Sequence, residues 1–315
     1  MVTPGRRAYA FVFPGQASQR AGMAAALLAQ EPAARSVFQV AGEVLGLDLG
    51  AVCTEGSDAL LTRTDVAQPA LLTTCVAWLT VLQSRGLSPR LLAGHSLGEF
   101  SAWVAAGVLD FPQAVRLVRR RGELMEEAAQ RRPGGMVAVL GLSDEQVAEV
   151  CRRAAEAGVV VPANYNSPGQ VVVSGEERAL ERALEEVRRL RGRAIPLRVS
   201  GAFHSPLMDD AARAFARLVS EAPLNRPRIP VVANASAELV TDVGGVRAAM
   251  SRQMSSPVLW SASVARMLAE GVEVFIEVGP GQVLTNLIGR ISPQARALPA
   301  GAPEDLPIIL EEVLG

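Results

Sequence analysis

The sequence predicts an α/β protein: a large subdomain built on a parallel sheet, with a small βαββαβ subdomain inserted into it. Three observations carry this prediction. Tyr9–Phe13 is an unbroken apolar run stopped by Pro14-Gly15, the pattern of a strand covered on both faces. Strand and helix patterns then alternate along the chain, as parallel sheets require. Between Met136 and Val199 the order changes to strand, helix, strand, strand, helix, strand, which is a split βαβ unit of the ferredoxin-like kind.

Helical patterns follow the first strand at about Pro32–Leu45 and Val66–Arg85. The second is bracketed by Asp65, which suits a helix start, and Gly86, which suits a stop. Arg90–Ala93 reads as a short strand and Leu97–Ala106 as a helix. Asp110 caps a further helix running to about Ala129, with Pro112 tolerated in its first turn. Arg131-Arg132-Pro133-Gly134-Gly135 is a linker by composition. The small unit then reads as strand Met136–Leu140, helix Ser143–Ala157, strands Val159–Ala163 and Gln170–Ser174, helix Glu176–Arg191 and strand Ala194–Val199. Ile229–Asn234 and Val274–Val278 resume the parallel-sheet pattern, so the large subdomain is discontinuous: residues 1–132 and 201–315, with residues 133–200 as the insert. The last dozen residues carry little pattern.

A chain of 315 residues, 49% hydrophobic and 20% charged, has the composition of a globular protein with room for two subdomains. Its net charge of −1 gives no reason to expect nucleic acid or an anionic membrane as partner. Every basic residue is Arg, so any phosphate or carboxylate must be held by guanidinium groups, backbone N–H groups or neutral donors. Cys53, Cys75 and Cys151 are odd in number and widely spaced, which reads as reduced core thiols in a reducing compartment. Arg6 and Arg7 precede the first apolar run, but Pro14 cuts that run too short for an export signal. No apolar span of membrane-crossing length is expected after it, and a cytoplasmic location follows.

Gly94-His95-Ser96-Leu97-Gly98 lies between a short strand and a helix, the setting of a nucleophile elbow. Such a turn strains the Ser backbone and projects its Oγ, while the flanking glycines let strand and helix approach. Read in isolation, the same residues make a Gly-rich turn at a helix start. A serine nucleophile needs a base, usually His, and the chain holds only His95 and His204. His95 adjoins Ser96, and neighbouring side chains at such a turn point apart. His204, where the insert returns to the large subdomain, is the better candidate, because pockets favour such junctions.

At this point the chain resembles the malonyl-CoA:acyl carrier protein transacylases of fatty-acid synthesis and the acyltransferase domains of polyketide synthases. The motifs that carry the resemblance are Phe13-Pro14-Gly15-Gln16, Gly94–Gly98 with Glu99, Arg121-Gly122 and Gly201–Ser205. Asn164–Gln170 and Glu277–Gly281 support it. The resemblance implies an α/β-hydrolase-like large subdomain with Ser96 as nucleophile and His204 as base. It implies an oxyanion hole from the backbone N–H groups of Gln16 and Leu97. Arg121 is implied to bind the malonyl carboxylate, in a pocket shared with Met125, Asn166 and Phe203. A backbone carbonyl is implied to orient the His, and by position it is assigned to Leu259, where relatives carry Gln. Bland readings stand beside these: Gln16 as a helix cap, Arg121 as part of the solvated run Arg119-Arg120-Arg121, Phe203 as core.

The activity so implied is malonyl transfer from malonyl-CoA to the phosphopantetheine thiol of an acyl carrier protein, by a ping-pong route through a malonyl-serine ester. No metal or bound cofactor is implied, and the chain is expected to be a monomer. An acidic carrier protein would dock on an Arg-rich surface, with Arg188, Arg189, Arg191 and Arg193 as candidates. The chief alternative is an esterase or thioesterase of the α/β-hydrolase type with water as acceptor. Those chains place an Asp or Glu between Ser and a late His and often carry an HGGG-type motif, whereas here His204 is far from the end and no HGGG occurs. A non-catalytic docking scaffold is a second alternative, which intact Ser96 and His204 argue against.

Overall fold

The computed structural model describes residues 7–315, so Arg6 and the first residues of the large subdomain lie outside the described residues. Among the described residues ten strands form two sheets: β1 Tyr9–Phe13, β2 Leu91–Gly94, β3 Gly135–Leu140, β4 Val160–Ser167, β5 Gln170–Gly175, β6 Arg193–Pro196, β7 Val231–Val232, β8 Leu239–Val240, β9 Val274–Val278 and β10 Arg296–Ala300. The larger sheet has six strands in the order β10-β9-β1-β2-β7-β8. All its pairings are parallel except that of β8, which runs back antiparallel to β7.

β1 sits in the middle of this sheet because all five of its residues are apolar enough to be buried. Tyr9, Phe11 and Phe13 pack into one core, Ala10 and Val12 into the other, which is the two-residue alternation of a strand covered on both faces. The helix Thr64–Ser84 is apolar on nearly every side and accordingly buried. It corrects the expectation that no span of membrane-crossing length occurs. At mean hydropathy 1.3 it passes that test of length and composition, yet 94% of its apolar window is buried inside the protein.

Helix Phe111–Arg131 packs against it. Asp110 accepts the Gln113 N–H at 2.7 Å, which fixes where this helix starts. Its buried residues include Ala114, Val118, Arg121 and Met125, one stripe at helical spacing. Arg121 is therefore carried inward on an otherwise apolar face. Arg119 and Arg120 sit on the opposite side and pair with Asp65 and Glu123.

The smaller sheet runs β4-β5-β3-β6 with every pairing antiparallel. Helices Asp144–Ala154 and Glu177–Arg189 cover one face and close its separate core. A capping box, Ser143 with Gln146, starts the first of them. β4 reaches Ser167, beyond the expected Ala163, and there it meets the large subdomain. Tyr165 N–H donates to Val258 O at 2.9 Å, and Val258 N–H donates to Ala163 O at 2.8 Å. The expected strand Ile229–Asn234 contracts to Val231–Val232, which leaves Asn234 beyond the ladder at the carboxyl end of β7. The weakly patterned C-terminus folds as β10 and a helix, Asp305–Leu314. Pro299 in β10 removes a ladder donor, and an edge strand tolerates that loss.

Candidate active site

Ser96 stands in the turn between β2 and helix Gly98–Ala105 with φ +50°, a left-handed conformation that costs a non-glycine residue energy. The crossing is too tight for side chains at its flanks. A Cβ on Gly94 would come within 2.0 Å of Gly98 C, and one on Gly98 within 2.0 Å of Phe13 O. The strained turn is pinned from both ends: Ser96 N–H donates to Asn234 Oδ1 at 2.7 Å, and Ser96 O accepts from Gln253 Nε2 at 2.6 Å.

The Ser96 Oγ lies 2.7 Å from His204 Nε2. His204, also at positive φ (+58°), is buried, and its Nδ1 faces two carbonyls, Gln253 O and Ser256 O, each at 3.0 Å. Carbonyls only accept, so Nδ1 carries the proton and Nε2 is left as the acceptor for the serine hydroxyl. Burial, then the charge of Arg121, push the ring down to about 3. His204 is thus neutral at pH 7 and able to take the Oγ proton.

The carbonyl assignment made from the sequence is corrected here. Leu259 O accepts from the N–H and Oγ–H of Ser263, because Leu259 caps the helix Trp260–Ala269. The ring is oriented by Gln253 and Ser256, six and three residues earlier. Position 253 is also where a Gln is found. His95 turns away from Oγ, as its place in the turn predicts. It is half-buried, its ring lies 5.7 Å from that of Trp260, and its Nε2 meets Asn166 Oδ1 at 2.8 Å. Asn166 therefore links β4 of the insert to the elbow rather than standing apart from it.

Arg121 is 1% exposed. Nη1 donates to Gln68 Oε1 at 2.8 Å, and Nε and Nη2 donate to Gln253 Oε1 at 3.2 and 2.8 Å. The guanidinium carbon lies 5.6 Å from the Phe100 ring centroid, and Nη2 is 3.5 Å from Ser96 Oγ. Among the described residues no carboxylate forms an ion pair with it. Burial lowers it to about 10, with Glu99 opposing that shift, so it remains a cation at neutral pH. Met125, one turn along the helix, accepts from Gln68 Nε2 through its sulfur at 3.3 Å. Phe203 is buried beside His204. The backbone N–H groups of Gln16 and Leu97 find no acceptor among the described residues, and Ala17, next to Gln16, is held at φ +83°. The pieces amount to a hydroxyl activated by a neutral imidazole, beside a buried cation with no carboxylate in direct contact among the described residues and two uncommitted backbone donors.

Sequence reasoning missed Gln68, Asn234 and Gln253. Gln68 did carry a signal, as a polar side chain within an apolar helical run. Asn234 carried another, standing where ligands gather at the carboxyl ends of parallel strands. Gln253 sits in an unpatterned segment with no local mark.

Comparison with known proteins agrees with this geometry. Residues 10–299 match the acyl transferase domain family. The chain is 45% identical over 305 residues to the malonyl CoA-acyl carrier protein transacylase of Escherichia coli strain K12, covering 96% of this chain and 99% of that one. It superposes with a TM-score of 0.93 on an acyl carrier protein S-malonyltransferase from Vibrio cholerae, at 44% identity and covering 96% and 99% of the two chains. A malonyl-transacylase solved in complex with a type II polyketide acyl-carrier protein gives a TM-score of 0.94 at 41% identity, with the same coverage. The chain belongs to the acyl transferase family, in the branch of the malonyl-CoA:acyl carrier protein transacylases.

Proposed function

We propose that this protein moves the malonyl group from malonyl-CoA to the phosphopantetheine thiol of an acyl carrier protein through an ester on Ser96. The observation that carries the reading is the 2.7 Å contact of Ser96 Oγ with a neutral His204, with the buried Arg121 at 3.5 Å from the same oxygen.

His204 takes the Oγ proton as the oxygen attacks the thioester carbonyl. The Gln16 and Leu97 N–H groups hold the tetrahedral oxyanion, each such donor being worth about 10²–10³ in rate in comparable enzymes. Arg121 grips the malonyl carboxylate, with Met125, Asn166 and Phe203 bounding the space around it. The imidazolium of His204 then protonates the departing coenzyme A thiolate. In the second half-reaction His204 deprotonates the carrier's thiol, which attacks the serine ester and releases Ser96. Every step is assigned to these groups, so the proposal calls on no metal or bound cofactor.

The relative solved with its carrier protein supports the acceptor. Arg188, Arg191 and Arg193, exposed on the insert, offer a cationic surface to an acidic partner. A cytoplasmic location is part of this proposed reading. Intact-mass measurement after mixing with malonyl-CoA tests the covalent step. The parent protein should gain one malonyl group and Ser96→Ala none; an adduct persisting on Ser96→Ala would overturn the assignment.

A further inference from the structure

Among the described residues two acids are 1% exposed, Glu99 and Glu277. Glu277 is occupied at a helix start, accepting from Leu284 N–H, Thr285 N–H and the Thr285 hydroxyl. Glu99 has a different set of partners. Its Oε1 accepts from Asn234 N–H and its Oε2 from Gln253 Nε2, both at 2.8 Å. These are the two residues that pin the Ser96 turn from either side.

The pairing fixes the sense of the Gln253 amide. Nε2 faces two acceptors, Glu99 Oε2 and Ser96 O, so Oε1 must face the guanidinium, where it accepts from Nε and Nη2 of Arg121. Reversing the amide would set donors against donors at Arg121 and acceptors against acceptors at Glu99 and Ser96. Glu99 is also the acid whose field reaches Arg121. A carboxylate directly on Arg121 would compete with an anionic substrate, whereas a buried cation with no acid nearby is costly.

We infer that Glu99 is a positioning residue for the malonyl carboxylate: through the Gln253 amide it orients and charge-balances Arg121 while leaving the guanidinium without a carboxylate of its own. The substrate's carboxylate completes the pair. This rests on the reading of Arg121 given above.

The arrangement has a pH signature. Burial pushes the Glu99 carboxyl up to about 7. Once protonated, it offers an O–H to a site where its hydrogen-bonding neighbours, Asn234 N–H and Gln253 Nε2, are both donors. Arg121 is the charged group facing it. Glu99→Gln, neutral and carrying its own donor, imitates that protonated form.

The test measures kcat/KM for malonyl-pantetheine and acetyl-pantetheine, which lack the coenzyme's phosphates, between about pH 6 and 8.5. The parent should show an acid limb near pH 7 with the malonyl substrate. Glu99→Gln should lower malonyl kcat/KM about tenfold or more, chiefly through KM, and lose the limb. Its use of acetyl should change far less. The double variant Glu99→Gln with Gln253→Glu moves the charge directly onto Arg121, and malonyl use should stay low because that carboxylate competes. Full recovery in the double variant would reduce Glu99 to charge balance and overturn the positioning role. An unchanged malonyl-to-acetyl ratio and an intact acid limb in Glu99→Gln, with Arg121→Ala altering the ratio, would overturn this inference alone. An unchanged ratio in Arg121→Ala would instead defeat the reading it rests on. Should Glu99→Gln fail to fold, Glu99→Asp, which keeps the charge but shortens its reach to Gln253, takes its place, and an unchanged malonyl-to-acetyl ratio there overturns the inference.

Discussion

Removing the guanidinium at position 121 should act on malonyl and acetyl substrates in opposite senses. Arg121 is 1% exposed and meets only neutral acceptors, Gln68 Oε1, Gln253 Oε1 and, at 3.5 Å, Ser96 Oγ, among the described residues. The malonyl carboxylate would be its sole anionic partner. Breaking a buried charge pair by deleting one partner costs about 3–5 kcal/mol, so malonyl kcat/KM in Arg121→Ala should fall by about 10²–10³ or more. Acetyl leaves the parent's cation buried and unpaired, and that penalty disappears in the variant, so acetyl use should rise relative to malonyl. The substitution also strands the two glutamine oxygens, each worth about 1–3 kcal/mol of stability, so Tm should drop. The ratio of the two kcat/KM values cancels any loss of folded enzyme. Steady-state transfer to carrier protein with each acyl-CoA, on parent and variant, gives that ratio. A uniform loss on both substrates would refute the reasoning and make Arg121 structural, or a ligand for a part the two substrates share.

His204→Ala should slow acylation by about 10²–10⁴, the range for loss of a general base, and His95→Ala should do less harm. Stopped-flow acylation ranks the two, and the reverse order would mean the wrong histidine has been chosen. Phe203, buried beside His204, should crowd a substituent on the malonyl α-carbon. The parent should therefore prefer malonyl over methylmalonyl, and Phe203→Ser should narrow that preference in a competition assay. Leu259→Ala should leave the acylation rate within a few-fold of the parent, because the His204 ring is held by the carbonyls of Gln253 and Ser256.

What the sequence discloses and what it hides divide along physical lines. β1, helix Pro32–Leu45 and β9 are legible because each is a contiguous apolar or amphipathic run with its own stop signals. Ser96 is legible because an elbow needs glycines at fixed offsets, and His204 because only two histidines exist. Arg121 is less plain: it sits in a run of three arginines, and only the turn of its helix separates it from Arg119 and Arg120. Gln253 is hidden because its role comes from contacts with Ser96, Glu99 and Arg121, 132 to 157 residues away in sequence. The same distance explains the misplaced carbonyl. Position along the chain could locate the segment that approaches His204, but not which residue of it turns a carbonyl inward. β10 and the final helix were obscured because an edge strand and a peripheral helix need only one apolar face.

The most direct test of the central claim follows the acyl group itself. Malonyl-enzyme, freed of coenzyme A, is mixed with acyl carrier protein bearing phosphopantetheine, or with buffer alone, and both are followed by intact mass. The malonyl mass should leave the enzyme and appear on the carrier protein while the enzyme in buffer keeps it. Loss of malonyl at the same rate in buffer, with none on the carrier, would show water to be the acceptor and contradict the account.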